Sequence, residues 1–302
     1  MSITRLEQML EAVKAKAKKR LVAAYANDAH TIEAVHDAVE RGIVEATLVG
    51  DEAVMRQVCA DHGIDAGKFT IVHEPVDSKA AAKAVALVRS GEGQILMKGL
   101  VSTDKYMRAI LDKDAGLMAP GAILSHVSVI EYASYPKLIV CGDVAVLPYP
   151  DLKEKIAITN YVIGVAQALG IAKPKVALIA ASEQVLPKVQ PTVDAAIISK
   201  MAERGQIKGA FVDGPMALDV AVDPGSAQTK GIIGEVAGNA DCLVFPNIDA
   251  GNVFYKTATK LMGCELAAMV AGAQAPCILS SRGDSVLTKL YSITLAALTA
   301  KG

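Results

Sequence analysis

The sequence has no surplus of charge of either sign, no long hydrophobic run and no closely spaced cysteine pair, and each absence removes a class of protein. Its 31 basic and 32 acidic side chains leave a formal charge of −1, too balanced for an electrostatic claim on nucleic acid or an anionic membrane. Mean hydropathy is +0.34, yet no stretch approaches the roughly 18 uninterrupted apolar residues of a membrane helix, so the apolar content belongs to a core. The N-terminus mixes charged and apolar residues and includes Glu7 and Glu11, unlike a secretory signal, and a cytoplasmic location is expected. The cysteines, Cys59, Cys141, Cys242, Cys264 and Cys277, are odd in number and widely spaced, which favours buried free thiols over a disulfide framework or a zinc site. Also missing are the Gly-x-x-x-x-Gly-Lys-Ser/Thr phosphate loop, the Gly-x-Ser-x-Gly elbow and the His-Glu-x-x-His zinc motif. His30, His36, His62, His73 and His126 never fall at an i, i+4 helical pair, and a polar surface position explains each more simply than metal binding or catalysis. No metal is expected.

What is present is a chain of 302 residues, 52% hydrophobic, long enough for about two domains. Short apolar runs alternate with longer helical stretches almost from end to end, which argues for parallel strands joined by crossover helices. Runs such as Lys175-Val-Ala-Leu-Ile-Ala-Ala lack polar alternation, as strands buried on both faces do. Strands are expected over 20–26, 44–49, 94–97, 138–140, 176–180, 209–212, 242–245 and 277–279. Helices are expected over 28–41, 103–111, 152–169, 192–204, 225–237, 253–262 and 285–300. The fold class is α/β, with mostly parallel sheets flanked by helices. Turn-rich residues 118–126 and the Leu-Pro-Tyr-Pro-Asp segment ending at Asp151 bracket a domain crossover near residue 130. Gly231, Gly234 and Gly238 fall inside a helix candidate and read as helix-packing positions.

Four polar clusters follow strands, at the edge where open α/β sheets bind ligands. The last holds Ser281, Arg282, Gly283, Asp284 and Ser285 before the final helix. Free N–H groups, the Ser281 hydroxyl and the Arg282 fork suit a phosphate, while Asp284 or Ser285 equally suits a simple helix cap. A second cluster, 245–256, places Asn252 and Lys256 on one helix face at i, i+4; an Asx turn followed by a solvated lysine is the plainer alternative. In the third, Asp213-Gly214-Pro215 ends a strand as a structural turn or a site wall. In the fourth, Lys98 ends an apolar strand, and Arg108 lies one turn inside a helix that Thr103 or Asp104 caps. A lysine there needs an anionic partner or a path to water.

The segments Met97-Lys-Gly-Leu-Val-Ser-Thr103, Asp213-Gly-Pro-Met-Ala-Leu-Asp219, Asp249-Ala-Gly-Asn-Val-Phe-Tyr-Lys256 and Ser281-Arg-Gly-Asp284, in that order, carry a resemblance that spans nearly the whole chain. The chain resembles the phosphate acetyl/butyryltransferase family and is most similar to its butyryltransferase members. That resemblance implies the reversible reaction of acyl-CoA with phosphate to give acyl phosphate and coenzyme A. It implies no tightly bound cofactor, with coenzyme A as substrate. It further implies a two-domain fold like that of isocitrate and isopropylmalate dehydrogenases, with the active site in the interdomain cleft. The first domain is then 1–129 plus 268–302 and the second 130–267. A homodimer or higher homo-oligomer and metabolic coupling to an acyl kinase are implied as well. By motif, Ser281 and Arg282 match the family's Ser-Arg pair, and Arg108 matches an arginine that meets phosphate. In the acetyltransferases the catalytic aspartate lies several residues beyond Ser-Arg-Gly, and a one-gap shift makes Asp284 its substitute here. The expected catalytic set is Asp284, Ser281 and Arg282, with Lys98, Thr103, Arg108, Asp213, Asn252 and Lys256 binding phosphate or coenzyme A. A cysteine that some acetyltransferases carry falls at about Val144, so no thiol is required by the chemistry. The competing readings are a phosphate acetyltransferase, a non-catalytic acyl-CoA-binding subunit, and a metal-dependent hydroxy-acid dehydrogenase, against which the lack of clustered aspartates weighs.

Overall fold

A computed structural model describes residues 2–279 and 284–301. In chain order the elements are α1 (Leu6–Lys14), β1 (Lys19–Ala24), α2 (Ala29–Glu40), β2 (Val44–Gly50), α3 (Glu52–Asp61), β3 (Thr70–His73), α4 (Asp77–Arg89), β4 (Ile95–Lys98) and α5 (Thr103–Leu111). Next come β5 (Ser125–Ile130), β6 (Ile139–Gly142), α6 (Leu152–Ala168), β7 (Lys175–Ile179), α7 (Gln190–Glu203), β8 (Phe211–Met216), α8 (Leu218–Val222), α9 (Pro224–Thr229), β9 (Cys242–Val244) and α10 (Ile248–Lys256). The chain closes with β10 (Leu266–Ala271), β11 (Cys277–Ile278) and α11 (Val286–Thr299).

These elements cluster into two compact units, one of Glu7–Leu124 with Leu266–Gly302, the other of Met1–Leu6 with Ser125–Glu265. In the first unit the strand order is β3-β2-β1-β4-β11-β10. Its pairings are parallel except β10 with β11, and β1 and β4 are almost wholly buried, as apolar strands covered on both faces should be. In the second unit the order is β5-β6-β9-β7-β8, parallel except β5 with β6. Helix α6 starts where Asp151 accepts the Glu154 N–H at 2.8 Å and Glu154 returns a bond to the Asp151 N–H at 2.8 Å. That reciprocal cap contributes about 1 kcal/mol and ends the Pro-rich approach on a defined residue.

Three sequence expectations are corrected. The helix expected over 225–237 stops at Thr229, because Gly231 and Gly238 take left-handed φ values of +67° and +70°. Those glycines turn the chain and do not pack helices; a Cβ on Gly238 would lie 2.6 Å from the Pro224 Cα. Strand β8 does not end at Asp213 but runs through Gly214 and Pro215 to Met216. Gly214 passes so close to β7 that a Cβ would lie 2.7 Å from the Leu178 carbonyl oxygen. The turn-rich reading of residues 118–126 overran its end, since β5 begins at Ser125 and is buried throughout. No helix among the described residues is long and apolar enough to cross a membrane.

Candidate active site

In the first unit, β4 and β11 are parallel neighbours, with Leu96 opposite Cys277 and Met97 opposite Ile278. The chain therefore leaves both strands side by side, one into Lys98 and α5, the other into the stretch that reaches Asp284 and α11. Lys98 is 3% exposed, and its Nζ donates to the Gly99 carbonyl at 3.3 Å. Gly99 is fixed by space: its N–H bonds the Ala24 carbonyl at 2.9 Å, and a Cβ would fall 2.4 Å from the Tyr25 oxygen. The cap of α5 is neither Thr103 nor Asp104 but Ser102, whose hydroxyl accepts the Lys105 N–H at 3.4 Å. Thr103 takes the first helical position and is exposed. Arg108 is exposed and bonds Asp104 one turn earlier at 3.0 Å. Such an open i, i+4 pair is worth only about 0.3–0.5 kcal/mol, so the guanidinium is readily released to an anion. Buried Tyr106 shares its hydroxyl proton between the Leu96 and Ile278 carbonyls, each at 3.2 Å, and so pins α5 against both strands.

Ser281 and Arg282 lie outside the described residues. Asp284 is half-buried, directly before Ser285, which caps α11 by accepting the Thr288 N–H at 3.0 Å. Sequence reading missed Lys289, which is 3% exposed and donates to the Asp284 carbonyl at 2.9 Å. Its signal was available: a lysine in the first turn of a helix that otherwise carries no charged residue.

In the second unit, Asn247 follows β9 and caps α10 by accepting the Ala250 N–H at 3.0 Å. Asn252 therefore sits inside α10, and its Nδ2 donates to the Val144 carbonyl at 3.1 Å. Gly251 lies against the same turn, where a Cβ would stand 2.3 Å from the Asp143 carbonyl oxygen. The turn itself hangs on the Asp143 carboxylate, 2% exposed, which accepts the N–H groups of His126, Ala145, Val146 and Leu147 at 2.7–3.3 Å. Asp143 is the second residue the sequence reading missed, since its partners are backbone groups and leave no side-chain pattern. Lys256 ends α10 exposed, with its Nζ 5.3 Å from the Tyr255 ring centre and no carboxylate partner among the described residues. Asp213 lines a cavity of about 360 Å³ together with Lys173, Phe211 and Glu235. Burial pushes the Asp213 carboxyl above its ordinary pKa, against the Gly214 N–H that bonds it at 2.8 Å.

The thiols are poorly placed for nucleophilic work. Cys59, Cys141, Cys242 and Cys277 are buried, and burial pushes all four above the ordinary thiol range, Cys277 to about 12. Reaction requires the thiolate. Iodoacetamide at pH 8 is therefore expected to modify the folded protein only at half-buried Cys264, slowly, with full labelling after denaturation. Rapid native labelling of Cys141 or Cys277, read by peptide mass spectrometry, would contradict this account.

The family described as "Phosphate acetyl/butaryl transferase" matches residues 5–82 and 68–297 of the chain. The chain is 46% identical over 298 residues to the phosphate butyryltransferase of Clostridium acetobutylicum, covering 99% of both sequences. It is 39% identical over 297 residues to the phosphate acetyltransferase of Rhizobium meliloti, covering 98% of this chain and 94% of the other. Among solved structures, a branched-chain phosphotransacylase from Enterococcus faecalis superposes with a TM-score of 0.80 at 28% identity, covering 94% of this chain and 100% of that one.

Proposed function

This chain belongs to the phosphate acetyl/butaryl transferase family and is a phosphate acyltransferase, and we propose that the group it moves between coenzyme A and inorganic phosphate is butyryl or another short acyl chain. The observation that supports the residue assignment is the pairing of β4 with β11, which brings Lys98 and the approach to Asp284 out of one sheet edge together. Lys98 and Arg108 supply positive charge for phosphate, with Arg282 from the family's Ser-Arg pair. Thr103 and the N–H groups at the start of α5 add neutral donors. Asn252 and Lys256 belong to the coenzyme A side of the reaction, Asn252 by holding the turn at Val144 and Lys256 as an exposed cation. Asp213 lines a cavity with Lys173 in the second unit and is carried in this reading as a further substrate-side residue.

In the direction that forms acyl-CoA, Asp284 removes the thiol proton as sulfur attacks the acyl phosphate carbonyl. A free thiol has a pKa near about 8.5, so without a base little of it is thiolate at neutral pH. The oxyanion that develops is met by the Ser281 hydroxyl and nearby N–H groups, and phosphate departs towards Arg282 and Arg108. In reverse, phosphate attacks the thioester carbonyl, sulfur leaves with the carbon–sulfur electron pair, and the protonated carboxyl returns the proton to it. No acyl-enzyme is needed.

The test is release of coenzyme A from acetyl-, propionyl-, butyryl- and isobutyryl-CoA in the presence of phosphate, in parent and Arg282→Ala enzymes. The parent is expected to favour a four-carbon thioester. The variant is expected to raise KM for phosphate by about tenfold or more while KM for the thioester stays put, as loss of one charged hydrogen bond predicts. Equal phosphate constants would remove Arg282 from the mechanism, and no release from any thioester would remove the reaction.

A further inference from the structure

Lys289 is the one charged residue of α11, and its place suits a cation poorly. It is 3% exposed in a helix whose residues from Lys289 to Leu298 are all buried, where a hydrocarbon side chain would pack without taking a charge out of water. It also stands in the first turn, at the positive end of the helix dipole, which disfavours an ammonium. Its bond gives the charge a use. Ser285 caps the helix, so Asp284 is the residue before the cap and Lys289 the fourth residue of the helix. In many helices these two positions carry apolar side chains that touch and fix the angle at which the chain enters. In α11 that apolar contact is replaced by a polar one, from the Lys289 Nζ to the Asp284 carbonyl at 2.9 Å. The cap itself begins one residue later: the Ser285 hydroxyl accepts the Thr288 N–H at 3.0 Å, and the Ser285 carbonyl accepts the Lys289 N–H at 3.1 Å. One turn further on, the Ser292 hydroxyl accepts the Ala268 N–H of β10 at 3.0 Å, so the lysine is carried on a helix tied to the sheet.

We propose that Lys289 is a positioning residue, whose ammonium holds the Asp284 segment so that the carboxyl meets the proton it must take. The inference rests on the role of base proposed above for Asp284, and Lys289 acts through that residue, not on substrate. A general base works within hydrogen-bond reach of its proton, about 2.6–3.2 Å, and a displacement of about 1 Å can cost about a hundredfold in rate. An apolar contact would fix the entry of the chain but not the direction of a single peptide group. A charged hydrogen bond fixes both, which accounts for an ammonium in a place that suits a hydrocarbon.

Lys289→Met keeps the bulk of the side chain and removes the charged donor. It is expected to lower kcat about tenfold or more, as loss of one charged hydrogen bond predicts, with KM for thioester and phosphate within about twofold and the urea midpoint close to the parent's. Lys289→Arg, which keeps a charged donor, is expected to recover most of the loss. In the double variant Asp284→Asn, Lys289→Met the two losses should not multiply, because no base is left to position, and turnover should match that of Asp284→Asn alone. Amide hydrogen exchange at Asp284 and Ser285 needs no substrate; it is expected to quicken about tenfold in Lys289→Met and to return to the parent rate in Lys289→Arg. Turnover within about threefold of the parent in Lys289→Met, losses that multiply in the double variant, or unchanged exchange overturns the proposal. So does a loss of turnover that follows the urea midpoint downward and is not recovered by arginine. A parent that releases no coenzyme A, or an Asp284→Asn variant with full turnover, would instead strike the reaction or its base, and exchange would then decide by itself whether Lys289 holds this turn.

Discussion

Replacing Asp284 by Asn is expected to lower turnover about a hundredfold or more, with the Michaelis constants for thioester and phosphate changed little. The substitution keeps the shape of the side chain and removes its capacity to take a proton. It also keeps what holds the residue in place, because Lys289 bonds the backbone carbonyl of Asp284 and Ser285 caps α11 through its own hydroxyl. A loss confined to kcat, in a protein whose thermal unfolding matches the parent, therefore reports the chemical step and not a disordered turn. Turnover within about threefold of the parent would move the base to another group, since general base catalysis contributes about a hundredfold at least. A fall in turnover accompanied by a lower unfolding temperature would instead assign Asp284 a structural part.

The elements around this site differ in how plainly the sequence announced them. Helix α5 and strand β4 were legible because an apolar run ending in Lys98 is followed by a Ser-Thr start and an amphipathic stretch, and α11 because Ser285 precedes a long apolar helix. Strand β5 was hidden by its own composition: Ser125 and His126 fell in the turn-rich stretch 118–126 and Ser128 interrupts the apolar run, yet all three are buried. The Ser128 hydroxyl reaches the His126 ring at 3.3 Å, a partnership no local pattern displays. The third strand, β3, lies at the sheet edge with Thr70 and His73 exposed, so only Ile71 and Val72 remain to mark it as apolar. Asn252 was recognised by motif as a ligand-side residue, but its observed bond is to the Val144 carbonyl 108 positions away. Local sequence carries caps and periods; it does not carry the partner of a buried polar group.

The same limit governs the largest stability effect expected, at Lys155 and Asp194. Lys155 on α6 and Asp194 on α7 belong to no motif in the sequence, yet their side chains are 8% and 2% exposed and meet at 2.7 Å. Taking two charges out of water is costly and the attraction between them only repays it, so the pair adds little net stability over apolar residues of the same shape. Removing one member is different, because the other stays buried without its counter-charge. Asp194→Ala is expected to cost about 3–5 kcal/mol, read as a fall in the urea midpoint of the parent protein. Part of that loss arises because Gln190 surrenders its acceptor along with Lys155. The double variant Lys155→Met, Asp194→Leu should recover most of it, since it leaves no buried charge behind. A single-variant cost below about 1 kcal/mol would mean that water reaches the pair and screens it as at a surface.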